Sequence, residues 1–302
     1  MFKSKNSMSR ALVRRETTAG YLFLLPSLFF FVTFVLYPMF LCIYTSFFDS
    51  NMGKNAVDVF VGLGNYKELF QDKLFLGALK NTVVIVVVAV PTVCAFSLWV
   101  ATAIYDMKPA LTSAFRCIFY LPVVTGSVAV TVVWKWMYNN RYGVFNYLFK
   151  SLGIIDQNIN WLGDARFALW CIILILFTTS VGQPIVLYVS ALGNVDHSLV
   201  EAAQVDGANR RQVFWKIKWA QIMPTTLYIL IITTINSFQC FALIQLLTSG
   251  GPTHSTDTIM YYIYYTAFKL YRYGYGNAMG VVLMIIIAVL SAVQFKLGQQ
   301  SD

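Results

Sequence analysis

Ionisable side chains are scarce in this sequence, and histidine is the scarcest: His197 and His254 are the only two. Charged residues make up 12% of the chain, against roughly a quarter in ordinary soluble domains. Five cysteines, Cys42, Cys94, Cys117, Cys171 and Cys240, all lie in apolar stretches without C-x-x-C spacing. That usage suggests neither a disulfide framework nor a structural zinc site, and no metal or cofactor is expected. No Gly-x-x-x-x-Gly-Lys segment occurs, so the chain lacks the usual loop for cradling ATP phosphates. No internal repeat and no low-complexity segment is visible.

What fills the space is hydrocarbon. Hydrophobic residues reach 58% and the mean hydropathy is +0.64. A soluble core of this size cannot bury such an excess, so the outer surface must be apolar and its solvent must be lipid. The formal charge of +9 is then read as anchoring at the membrane surface and not as a nucleic-acid footprint.

Stretches free of Asp, Glu, Lys and Arg run over residues 21–48, 81–105, 117–134, 167–195, 219–256 and 274–295. A spanning helix needs about 20 apolar residues, so the expectation is an all-α integral membrane protein with six transmembrane helices. The first run is too long for a signal-peptide core of about 7–15 residues and reads as an uncleaved span. Residues 1–20 form a basic tail with Lys3, Lys5, Arg10, Arg14 and Arg15, and residues 21–302 form one membrane domain. The positive-inside bias places both termini in the cytoplasm, with the basic segment 196–218 on the same side. Trp134, Trp136, Tyr138, Trp161, Tyr261, Tyr262, Tyr264 and Tyr265 fit an interfacial aromatic belt; the alternative is contact with an arriving sugar or a docking partner.

The segment after the fourth span is the most informative. Ser198 followed three residues on by Glu201 reads as a capping box opening a short helix. Gly207 can close it in a left-handed conformation, and Asn209 with Gln212 offers a second start. Glu201-Ala202-Ala203, then Asp206-Gly207-Ala208, then Ile217 resembles the EAA loop of type I ABC importer permeases. Phe60-Val61-Gly62-Leu63-Gly64-Asn65-Tyr66, the run from Leu243 to the Gly250-Gly251-Pro252 triplet, and Gly276-Asn277-Ala278 resemble segments of the maltose-type, carbohydrate-uptake permeases. The pattern departs at Trp219-Ala220, where a Leu-Pro pair is usual, and at Gly193, Val195 and Asp196.

The resemblance implies a MetI-like transmembrane domain, a multi-pass protein of the bacterial inner membrane, and a coupling loop at about 196–220. Glu201, Ala202, Ala203, Asp206, Gly207, Ala208 and Ile217 would engage a cytoplasmic ATPase. It also implies a second permease subunit, expected to be a different chain, two ATP-binding subunits and an extracytoplasmic substrate-binding protein. The plainer role for Glu201 is to cap its own helix.

The middles of the six apolar runs contain no ionisable residue, whereas ion-coupled transporters keep such groups near the midplane. Energy is therefore expected from a separate ATPase, the chain itself carrying no catalytic site, and the cargo is expected to be uncharged. Amides and hydroxyls remain: Gln183 beside Gly182 and Pro184, and Asn236, Ser237, Gln239 and Cys240 in the fifth span. These are candidates for a sugar pathway, and equally for hydrogen bonds between packed helices. Within the permease class, glycerol phosphate or polyamine cargo is the alternative. A passive channel or a membrane-embedded enzyme is the rival class; the first needs no EAA loop and the second needs a cluster of His or carboxylates.

Overall fold

The computed structural model describes residues 3–50 and 58–299; the side chains of residues 3–15, and with them the basic tail, lie outside the described residues. The first span is α1 (Lys3–Phe31) running through a π-helical turn, Val32–Leu36, into α2 (Tyr37–Thr45). Most of its apolar side chains from Tyr21 to Tyr44 stand exposed, which only lipid or another subunit tolerates. Within this chain α2 is tied down by Asn277, whose amide donates to Thr45 Oγ1 at 2.7 Å.

A small ribbon pairs β1 (Phe48–Asp49) antiparallel with β2 (Val59–Phe60), Phe48 opposite Phe60. Then come α3 (Gly64–Leu69) and the 33-residue α4 (Lys73–Tyr105). The third apolar run is bent: α5 (Pro109–Val124) and α6 (Ser127–Met137) meet at 95°. Pro122 removes a backbone donor one turn before Thr125 turns extended, and Gly126 opens the new helix. Among the described residues five helices are thus long and apolar enough to span, and the bent pair makes up to six.

The helices α7 (Val144–Ser151), α8 (Ala168–Ser180) and α9 (Gly182–Gly193) follow, the last two forming one 26-residue span broken only at Val181. Next are α10 (His197–Val205) and α11 (Arg210–Val213), which passes through a π-helical turn, Phe214–Lys218, into α12 (Trp219–Phe238). The chain closes with α13 (Ala242–Leu247), α14 (Ile259–Tyr264) and α15 (Tyr273–Gln299).

The main core is where α4, α9 and α12 meet, around Val93, Ala101, Ile185, Tyr188, Ile222 and Ile229. Part of the expected aromatic belt is core instead: Tyr138 and Tyr261 are buried together against α8 and α13, and Tyr262 is buried against α4 and α15. Trp136 remains exposed.

On the ribbon side, Asp72 is the hub. Its carboxylate caps α4 through the Leu74 amide at 2.8 Å and accepts from the hydroxyls of Tyr262 at 2.7 Å and Tyr275 at 2.9 Å. Burial alone would raise the Asp72 carboxyl, but these donors outweigh it and hold the group below the usual carboxylate range. Arg272 adds a two-bond pair to Glu68 nearby, at 2.8 Å each, and lies over the Tyr275 ring. Asp72→Asn should cost about 1 kcal/mol, discounted because the group is partly solvated. A depressed carboxyl stabilises above its unfolded pKa, so the gap between wild type and variant should be constant above about pH 5 and close below about pH 4. Thermal unfolding in detergent across that range checks it.

Candidate functional site

The loop at residues 196–220 is built by local capping. Asp196, not Ser198, is the N-cap of α10: its carboxylate accepts from the Ser198 amide at 2.9 Å, and the Ser198 hydroxyl and amide together lower its pKa. Asp is as good a cap as Ser and sits where the chain is still extended, so the helix starts two residues earlier than Ser198 would set it. The expected Ser198–Glu201 capping box therefore does not form. Glu201 is exposed and makes no hydrogen bond or ion pair among the described residues.

The other end is closed as expected. Gly207 takes φ +83°; its amide donates to the Gln204 carbonyl at 3.1 Å, and the Ala208 amide to that of Ala203 at 2.9 Å. This paired pattern needs a left-handed residue, and a side chain there would be strained. Asn209 and Gln212 form a reciprocal capping box, at 2.8 and 2.9 Å, that opens α11. The Gln221 side chain, on α12, accepts from the Asp196 amide at 3.0 Å and ties the two ends of the loop together.

The outcome is a rigid knob. Val213 is buried beneath it; Ala203, Ala208 and Ile217 are half-buried; Glu201, Ala202, Asp206 and Gly207 face outward. Leu199 is 50% exposed and Val205 88%, and neither stood out in the sequence. Their spacing of three with Ala202 between them, giving one apolar stripe, is the signal that could have found them.

The five pathway candidates divide. Gln183 and Asn236 line one cavity of about 170 Å³ between α5, α9 and α12, with Thr179, Ser180 and Thr233 beside them. Those three lie one turn before Gln183 or Asn236, so helical spacing could have revealed them. Ser237 is buried away from the cavity, and Gln239 is exposed outside it. Cys240 shares no helical face with Asn236, because α12 ends at Phe238; it is buried near Tyr138, and its carbonyl accepts from Thr258 Oγ1 at 2.8 Å.

A further residue departs from expectation. The third span begins at Pro109, not Cys117, which brings Arg116 inside α5. It is half-buried, and its Nε makes no hydrogen bond among the described residues. Seven residues further on, two helical turns away on the same face, Val123 lines the Gln183–Asn236 cavity. The absence of ionisable groups in the spans therefore does not hold for α5. Among the described residues no three His, Cys, Asp or Glu side chains gather as a metal site.

Gly182 sets the cavity's width. A Cβ there would run into the Phe119 carbonyl and the Val123 side chain, so α5 and α9 touch backbone to backbone. Gly182→Val should push them apart at a cost of about 1–3 kcal/mol. The check is a lower unfolding temperature in detergent; an unchanged one would mean that the two helices do not approach this closely.

With the geometry in place, comparison with known proteins is informative. Residues 59–299 match the family model for the inner membrane component of binding-protein-dependent transport systems. The chain is 33% identical over 288 residues to YesP, a probable ABC transporter permease protein of Bacillus subtilis (strain 168), covering 94% of this chain and 91% of that one. It is 32% identical over 283 residues to MsmF, a multiple sugar-binding transport system permease protein of Streptococcus mutans, covering 94% and 96%. A bacterial alginate ABC transporter, solved with an alginate pentasaccharide-bound periplasmic protein, has a chain of the same fold, with TM-score 0.80, 24% identity and 93% of each chain covered. The chain belongs to the inner-membrane permease components of binding-protein-dependent ABC transport systems, and it is a transport subunit, not an enzyme.

Proposed function

We propose that the chain forms one side of the translocation pathway of a carbohydrate importer and receives its mechanical input through the knob at residues 196–220. The observation that carries this reading is Glu201: released from capping by Asp196, it stands exposed at the edge of an apolar stripe, Leu199, Ala202 and Val205. An acid and an apolar stripe left uncovered on a rigid support suit the cleft of another protein. The other protein would be a cytoplasmic ATPase, present in two copies, one for this chain and one for a second, non-identical permease. An extracytoplasmic binding protein would deliver the solute, and both termini would lie in the cytoplasm. ATP-driven closure would draw the two knobs together and open the pathway outward.

The sugar reading draws on the permeases that the chain resembles, one of them named for multiple sugars, and on the cavity chemistry. Gln183 and Asn236 supply donors and acceptors, and Thr179, Ser180 and Thr233 supply hydroxyls, a set suited to a polyhydroxylated solute. Arg116 weighs against a polyamine, since a cation near the pathway repels one. Glycerol phosphate remains the second reading, because the same cation would favour an anion.

Gly207→Pro should abolish solute-stimulated ATP hydrolysis in the assembled complex while leaving membrane insertion intact. Proline cannot reach φ +83° and has no amide for the Gln204 carbonyl. Normal stimulation in that variant, or labelling that puts residues 198–218 outside the cell, would remove the coupling role. For the pathway, Asn236→Leu should lower uptake of the labelled sugar about tenfold, the effect of leaving one solute hydroxyl unpaired. Uptake equal to wild type would take Asn236 out of the pathway.

A further inference from the structure

A second and larger cavity, of about 390 Å³, lies between the α4–α5 turn and the knob. Three basic side chains line it, His197, Arg210 and Lys218, with the Gln204 amide, against one carboxylate, Asp106. Arg210 and Lys218 form no ion pair among the described residues. The Lys218 ammonium is instead held over the Tyr105 ring at 5.3 Å, its half-buried stem fixed in place. The floor is apolar, made by Leu192, Val195 and Val213, all buried. Tyr105 is the last residue of the α4 span, which puts the cavity at the membrane-surface end of that span and not at its middle. Trp215 and Trp219, 5.5 Å apart on the same segment, are the amphipathic rings favoured at that depth.

We infer that this cavity binds a phosphate-bearing anion, held by Arg210 and Lys218, and that the occupant bridges the α4–α5 turn to the knob. The apolar floor beneath cationic walls suits the headgroup of an anionic phospholipid, and a free phosphate offers the same oxygens to the same two side chains. Neither source depends on the knob docking to an ATPase, so the site can be tested on the purified chain alone.

The test uses the delipidated full chain in detergent, with retention read by native mass spectrometry. The probes are phosphatidylglycerol, phosphatidylcholine and, separately, inorganic phosphate. Phosphatidylglycerol should be retained over phosphatidylcholine, and R210Q/K218Q should weaken that retention by about tenfold or more. The same dependence for inorganic phosphate, without phosphatidylglycerol retention, would assign the site to a soluble anion. R211Q/K216Q removes the same two charges from exposed positions outside the cavity and should leave binding near wild type. D106N, which removes the one repelling charge, should tighten binding and so separates lost contacts from lost folding. Equal losses in the two double variants, or no probe bound above the level of R210Q/K218Q, would overturn the inference.

Discussion

Hydrocarbon offers no partner for an open backbone amide or carbonyl, and the rest of the structure is arranged around that constraint. Regular helix satisfies it automatically, so each departure from helix needs its own solution. One such departure lies between α12 and α14, where only the short α13 interrupts irregular backbone. There Thr258 donates to the Cys240 carbonyl, Asn81 to the carbonyls of Ser255 and Asp257, and Tyr261 to that of Ser249. Threonine hydroxyls in the helices meet the same constraint by donating to the carbonyl one turn back, as at Thr92, Thr125 and Thr234. At the break at Val181 the carbonyl accepts from the Ile185 amide at 3.1 Å and takes a second donor from α4, the Ser97 hydroxyl at 3.3 Å. Non-helical backbone thus sits where protein encloses it, and one break places Gln183 at a cavity.

How far the sequence revealed this follows from the range of each interaction. Apolar runs of about twenty residues report the bilayer thickness directly, and all six runs correspond to spanning helices or to the bent pair. The bend itself is set by Pro122 and Gly126 inside an unbroken apolar run, where prolines elsewhere, such as Pro91 in α4, leave the helix continuous. Pattern alone cannot separate the two cases, because the neighbours that re-satisfy the backbone are distant in sequence. Arg116 escaped notice for a related reason: a charge ends an apolar run on paper, yet one long, flexible side chain does not end a helix.

Local chemistry was legible where one residue type fits and ambiguous where two compete. Gly207 had no rival for a left-handed position, and Asn209 with Gln212 closed both bonds of their box. At the start of α10, Asp196 and Ser198 are both competent caps two residues apart, and the capping rule does not rank them. That small shift changes the meaning of Glu201, from a residue occupied with its own helix to one with nothing to hold. The candidate pathway residues were harder still. Grouping Asn236 with Cys240 assumed that α12 continued, and its end at Phe238 sends one toward the cavity and the other into the core.

The two cavities are joined by the stiffest elements of the fold. α9 carries Gln183 near one end and Leu192 near the other, about 14 Å apart at 1.5 Å per residue. α11, the π-helical turn and α12 run without a break from Arg210 to Asn236, about 39 Å on the same rise, more than the roughly 30 Å of hydrocarbon. Helix that exceeds the hydrocarbon thickness must stand out of it or tilt, and the knob is built on that excess. Between the two ends, Ile185 on α9, Ile222 and Ile229 on α12, and Val93 and Ala101 on α4 are fully buried against one another. A close-packed core of branched side chains resists compression, so under the proposed coupling a push on the knob would be passed along both helices before it is absorbed between them. The loosest contact on that line is the Gln183–Asn236 cavity, where polar side chains and a helix break replace packed isoleucines, and there displacement has room to become opening.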